Sequence, residues 1–85
     1  MKQVNLNDLL SIVNSNIKNI TITSENMTQN LSALGMESIG FIQIIVAIEE
    51  EFECEIPDSK LLITEMDTVE KMMNVLQTLY DESNT

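Results

Sequence analysis

The chain has 85 residues, 44% hydrophobic and 21% charged, which suffices for one small core and leaves no length for a second domain or a deep catalytic pocket. Fourteen acidic residues against four lysines (Lys2, Lys18, Lys60 and Lys71) give a net charge of −10. That balance excludes binding to a nucleic-acid backbone and disfavours an anionic membrane surface, and it leaves open whether the acidity serves solubility or recognition by basic patches on protein partners.

In chain order, Met1 to Leu10 is polar and amphipathic rather than a continuous apolar run, so no secretory leader is expected. A first helix is expected over about residues 6–17, where Leu6, Leu9, Leu10, Ile12, Val13 and Ile17 recur at steps of three and four and Asn5 or Asn7 can cap the start. A polar connection rich in Asn, Thr and Ser follows, from about Lys18 to Met36. Its Ile20-Thr21-Ile22-Thr23 stretch alternates like a strand, but a lone strand has no ladder partner, so an extended loop is expected. Loops of this length in so small a domain carry function or pack as ordered elements.

The second helix is expected over 38–52, closed by Pro57 a few residues later. At about 100° per residue, Phe41, Ile44, Ile45, Ile48 and Phe52 share one arc, which is enough to dock the helix on a core. Ile39, Ile42 and Val46 form a second arc, and the expectation is a split role in which that arc meets partners. The longest apolar run, Ile44 to Ile48, is far too short to span a bilayer, and a cytoplasmic location is expected. The only cysteine, Cys54, cannot form an internal disulfide and fits a reducing compartment. Its neighbours Glu53 and Glu55 oppose thiolate formation, which makes it structural rather than reactive.

A short third helix is expected over 59–66, after Pro57-Asp58, and a fourth over 68–80, with Asp67 and Glu70 as a D-x-x-E capping box. Val69, Met72, Met73, Val75, Leu76, Leu79 and Tyr80 supply the apolar face of the fourth, its methionines serving as adaptable core filler. The expected fold is therefore all-α: one domain, residues 1–85, an antiparallel four-helix bundle of three longer helices and one short one with a long first loop.

An enzyme is not expected, because the chain lacks histidine, a Cys-x-x-Cys pair, a Gly-rich phosphate loop and a G-x-S-x-G elbow. Glu49, Glu50, Glu51, Glu53 and Glu55 lack the alternating ligands and central glycine of a Ca²⁺ loop, so they read as a solvated face and no metal site is expected. Leu34-Gly35-Met36-Glu37-Ser38-Ile39 is what remains. Gly35 permits a tight turn before the second helix, and Ser38 at the helix start can act as a cap or carry an anion where free N–H groups and the positive end of the dipole face it.

Gly35-Met36-Glu37-Ser38-Ile39 resembles the G-x-D-S-[LI] signature of acyl and peptidyl carrier proteins. The resemblance continues through Ala47-Ile48-Glu49-Glu50-Glu51-Phe52-Glu53-Cys54-Glu55-Ile56-Pro57-Asp58 and Asp67-Thr68-Val69, so it covers about Asn30 to Leu76 in register. It implies that Ser38 receives a 4'-phosphopantetheine arm from a phosphopantetheinyl transferase that uses coenzyme A and Mg²⁺. It also implies an acyl- or aminoacyl-loading enzyme and downstream biosynthetic enzymes as partners. The chain would act as a monomeric shuttle that tethers thioesters and catalyses nothing. Glu37 stands where the family usually has Asp, and Gly40 and Gln43 stand where fatty-acid carriers are acidic. The upper half of the second helix is thus nearly uncharged, which is similar to carriers of polyketide and nonribosomal peptide pathways. Glu37, Ile39, Ile42, Val46, Glu49 and Glu50 are the expected partner surface. A housekeeping fatty-acid carrier and a carrier-like adaptor without an arm stand as the alternatives.

Overall fold

The computed structural model describes residues 1–18, 20–61 and 66–83. Three α-helices, α1 (Leu6–Ser15), α2 (Ser38–Phe52) and α3 (Val69–Ser83), and two short 3-10 turns, Ser24–Asn26 and Asp58–Lys60, make up its regular structure. The described residues include no strand, and no helix among them is long and apolar enough to cross a membrane. Of the short helix expected over 59–66, residues 62–65 lie outside the described residues; Ser59 and Lys60 belong to the second 3-10 turn, and Leu61 and Met66 are not helical.

Asn5 starts α1: its backbone is extended and its Oδ1 accepts the Asn7 N–H at 2.8 Å. Leu9 and Val13, one turn apart, are fully buried. The helix stops at Ser15, two residues before the expected end, because Asn16 leaves helical geometry and its Nδ2 donates to the Ile12 carbonyl at 2.9 Å. Ile17 still reaches the core from beyond the helix.

The α1–α2 crossover is ordered by side chains that stand in for a ladder. Asn14 Nδ2 donates to the Ile22 carbonyl at 2.9 Å and Asn14 Oδ1 accepts the Ile22 N–H at 2.6 Å, pinning an extended segment whose Ile22 side chain is buried. Thr23 and Asn26 then cap each other around the first 3-10 turn. Further along, the Leu31 N–H donates to the Asp67 carbonyl at 2.7 Å and the Glu70 N–H to the Met27 carbonyl at 3.0 Å, so the crossover is bonded to the start of α3. Asn30 Nδ2 adds a bond to Asp67 Oδ2 at 3.3 Å. Gly35, at φ +115, makes the last turn before α2.

The buried residues of α2 are Gly40, Phe41, Ile44, Ile45, Ile48 and Phe52, the first of the two apolar arcs plus one glycine. Glu53 ends the helix in the left-handed region (φ 54), with its N–H on the Glu49 carbonyl. Two groups from elsewhere close this end: the Lys2 N–H donates to the Phe52 carbonyl at 2.8 Å, and Glu49 Oε2 accepts the Ile56 N–H at 3.0 Å. The expected Asp67–Glu70 box does not form. Thr68 caps α3 instead, its hydroxyl accepting the Lys71 N–H at 3.0 Å, while Asp67 faces the crossover and pairs with Lys71 Nζ at 2.9 Å. The helix begins one residue later than expected and runs to Ser83.

α1 packs on both α2 and α3. Leu9, Val13, Ile22, Leu31, Ile44, Ile48, Phe52, Met66, Val69, Met72 and Leu76 are all within 2% of complete burial, and every buried side chain among the described residues is apolar. Asn14→Ala removes both partners of Ile22, and we expect a loss of about 1–3 kcal/mol in urea unfolding. An unchanged midpoint would show that water replaces Asn14 without cost.

Candidate functional site

Ser38 is the first helical residue of α2, and it is exposed. The N-cap position belongs to Glu37, whose side chain makes no capping hydrogen bond. The Ser38 hydroxyl has no hydrogen-bond partner among the described residues, so it is not spent on capping the helix it opens. The first intrahelical bond is from the Phe41 N–H to the Glu37 carbonyl at 2.8 Å. The N–H groups of Ser38, Ile39 and Gly40 therefore have no acceptor among the described residues. No acidic side chain occupies this first turn, which leaves the positive end of the dipole uncompensated beyond Glu37.

Gly40 is buried, and its setting was not legible from residue type. A Cβ on Gly40 meets the backbone carbonyl of Asn16 at 3.1 Å, closer than side-chain carbons normally come to an oxygen. α2 thus passes directly against the end of α1, and the missing side chain makes that approach possible. A Cβ on Gly35 comes within 3.8 Å of the Lys18 carbonyl, so the second glycine brings the preceding turn to the same place. Asn16, Lys18, Gly35, Glu37, Ile39, Gly40 and Gln43 together line a surface groove of about 550 Å³ that runs beside Ser38. A glycine two residues after the serine is the signal that could have pointed to this contact.

Ile39, Ile42 and Val46 are 69%, 60% and 47% exposed, against 0–7% for Phe41, Ile44, Ile45 and Ile48 on the other arc. An apolar stripe therefore starts next to Ser38 and runs along the outer face of α2. Glu37 and Glu50 are also exposed. Glu49 is half-buried and holds Ile56 in place, an internal task that sequence spacing did not reveal. Among the described residues no group of three or more acidic, histidine or cysteine side chains is placed to hold a metal ion. Cys54 is half-buried at the opposite end of α2 from Ser38, and burial, with Glu49 nearby, pushes its thiol up from the ordinary value. The direction is the one expected from sequence. The cause is different: burial leads, the carboxylate that adds to it is Glu49 rather than the flanking Glu53 and Glu55, and the N-terminal amine opposes both.

The phosphopantetheine attachment site family model matches residues 7–76, and the chain belongs to that family. The chain is also similar to the mitochondrial acyl carrier protein of Saccharomyces cerevisiae, 49% identical over 43 residues that cover 51% of this chain and 33% of that protein. It thus spans about a third of the length of that curated relative. No solved structure is significantly similar to it. The family's cofactor is 4'-phosphopantetheine, and the α2 start fits it: an exposed, unengaged serine hydroxyl, three unpaired N–H groups beside it, and no carboxylate in the first turn.

Two outcomes follow from this geometry. Gly40→Asp, which restores the acidic residue of fatty-acid carriers, puts a Cβ and a carboxylate against the Asn16 carbonyl, and we expect it to cost about 1–3 kcal/mol in denaturant unfolding. A gain in stability would mean that α1 yields freely there. At pH 8, alkylation of Cys54 by iodoacetamide is expected to be slower than that of an exposed peptide thiol, because the raised pKa keeps the sulfur protonated; equal rates would contradict the burial argument.

Proposed function

We propose that Ser38 is the residue that carries the arm and that this chain is a carrier, not a catalyst, in polyketide- or nonribosomal-peptide-type biosynthesis. The observation that carries the attachment reading is an exposed serine hydroxyl at a helix start where the fold makes no use of it. When attached, the arm supplies a thiol that holds an acyl or aminoacyl group as a thioester. The protein's own residues do the rest. The unpaired N–H groups and dipole of α2 lower the electrostatic cost of a phosphodiester on a chain of charge −10. Tethering raises the local concentration of the cargo at whichever active site the carrier docks.

The partner surface in this reading is Glu37, Ile39, Ile42, Val46 and Glu50, with Glu49 at its half-buried edge. Support for the specialised pathway comes from the exposed apolar stripe and from the uncharged first turns of α2, where contact relies on packing more than on acidic residues meeting basic ones. The partners are a phosphopantetheinyl transferase, a loading enzyme and the downstream enzymes, met by a monomer in the cytoplasm. In this reading the whole chain is a single domain. A second reading, the carrier of housekeeping fatty-acid synthesis, is favoured by the similarity to an acyl carrier protein. Intact mass of the protein isolated from its own cells separates the two by the cargo on the arm.

Incubation with coenzyme A, Mg²⁺ and a promiscuous transferase is expected to add one phosphopantetheine to the wild type and none to Ser38→Ala. Ser38→Ala is expected to unfold within about 0.5 kcal/mol of the wild type, since the hydroxyl has no partner to lose. No mass increment, or one that persists in Ser38→Ala, defeats the attachment reading. Ile42→Glu is expected to slow cargo handover at least several-fold with the unfolding midpoint unchanged; a collapsed fold would move Ile42 into the core.

A further inference from the structure

The groove beside Ser38 has a composition that the attachment reading alone does not explain. Three of the four lysines take part in interactions within the chain: Lys2 Nζ lies 3.4 Å from Glu53, Lys71 Nζ lies 2.9 Å from Asp67, and Lys60 is engaged as well. Lys18 is the remaining one, exposed and without an ion pair among the described residues, and it lines the groove. In a chain with fourteen acidic residues, a lysine near a carboxylate is the ordinary outcome, so an uncommitted one on the wall of a groove stands apart. The other walls are chemically mixed. Ile39 is apolar and 69% exposed, Gln43 offers an exposed carboxamide, and Asn16, whose Nδ2 is committed to Ile12, keeps an Oδ1 with no donor among the described residues. Glu37 lines the groove too, and its negative charge opposes an anion there. Lys18 brings the opposite charge to the same groove.

We propose that this groove is the resting site of the phosphopantetheine arm, with Lys18 as the counter-ion of its phosphodiester. The inference rests on the reading of Ser38 as the attachment residue. Each kind of group on the arm has a counterpart in the lining: Lys18 for the anion, Ile39 for the branched apolar segment, and Gln43 and Asn16 for the hydroxyl and amide groups. The volume, about 550 Å³, falls within the range of about 300–1,000 Å³ common for small-molecule sites. Gly40 lets the start of α2 approach the Asn16 carbonyl, and Gly35 supplies the positive φ of the turn that packs on the Lys18 backbone. This face is distinct from the Ile42–Val46 part of the exposed stripe, so an arm held in the groove leaves that part of α2 uncovered.

The test uses the full chain in a Cys54→Ser background, loaded with the arm and confirmed by intact mass, with a maleimide nitroxide on the arm's thiol. Amide signals of Asn16, Lys18, Gly35 and Gln43 are expected to broaden more than those of Val46 and Glu50. Lys18→Glu and, separately, Gln43→Ala are expected to abolish that difference while the unlabelled spectra show the same fold. A loaded protein whose groove amides broaden no more than the rest of α2, or whose broadening survives Lys18→Glu, overturns the groove assignment and leaves the attachment reading standing. Failure to load at all overturns both, and the mass measurement distinguishes that case from the first.

Discussion

The crossover from Asn16 to Glu37 must satisfy its backbone polar groups without a helix or a sheet of useful length, and the position of Ser38 depends on how it does so. The solution is a series of borrowed partners. Asn14 serves Ile22 through both its amide atoms, Thr23 and Asn26 serve each other, and the main chain at Leu31 bonds to the main chain at Asp67. Each bond fixes a segment whose next buried residue, Ile22, Leu31 and then Met36, enters the core. By the time the chain reaches Gly35 its direction is set, and α2 begins where Ser38 faces water and Phe41 faces inward.

Asp67 shows how this arrangement links distant parts of the sequence. Its carbonyl accepts from Leu31, its Oδ2 from Asn30, and its Oδ1 pairs with Lys71 one turn into α3. One residue therefore holds the crossover against the last helix while Thr68, its neighbour, caps that helix. The ion pair spans a single turn, with the Asp67 side chain 15% and the Lys71 side chain 48% exposed. The two bonds to the crossover matter more, because they join segments more than thirty residues apart in sequence.

The helices were largely legible in the sequence, because amphipathic periodicity is a property of residue type. The bounds of α2 match the expected 38–52, and the two arcs separate into buried and exposed sets as the spacing implies. What was not legible depends on backbone meeting backbone or on choices among equivalent polar groups. Gly40 reads from sequence as a lost acidic residue, and the structure shows it as the point where α2 touches the Asn16 carbonyl. Ser38 reads as a cap, yet Glu37 holds that position without a side-chain bond. Asp67 and Thr68 both suit an N-cap, and only the pull of Leu31 and Asn30 on Asp67 decides between them. The groove beside Ser38 was invisible for the same reason: its walls come from the residues just past α1, the turn and α2, and no spacing in the sequence links them.

The uncapped first turn of α2 has a mechanical consequence. Its far end is held at Phe52 by Lys2 and at Glu49 by Ile56, whereas the end at Ser38 has no side-chain cap. The end groups of the helix are thus better satisfied at Phe52 than at Ser38, where its first turn is the one set to fray. Opening a residue of helix into extended chain lengthens it from about 1.5 Å to about 3.3 Å. An arm on Ser38, in the reading proposed above, is accordingly mounted on a compliant base, and its reach is set by the last ångströms of protein backbone as well as by the length of the tether.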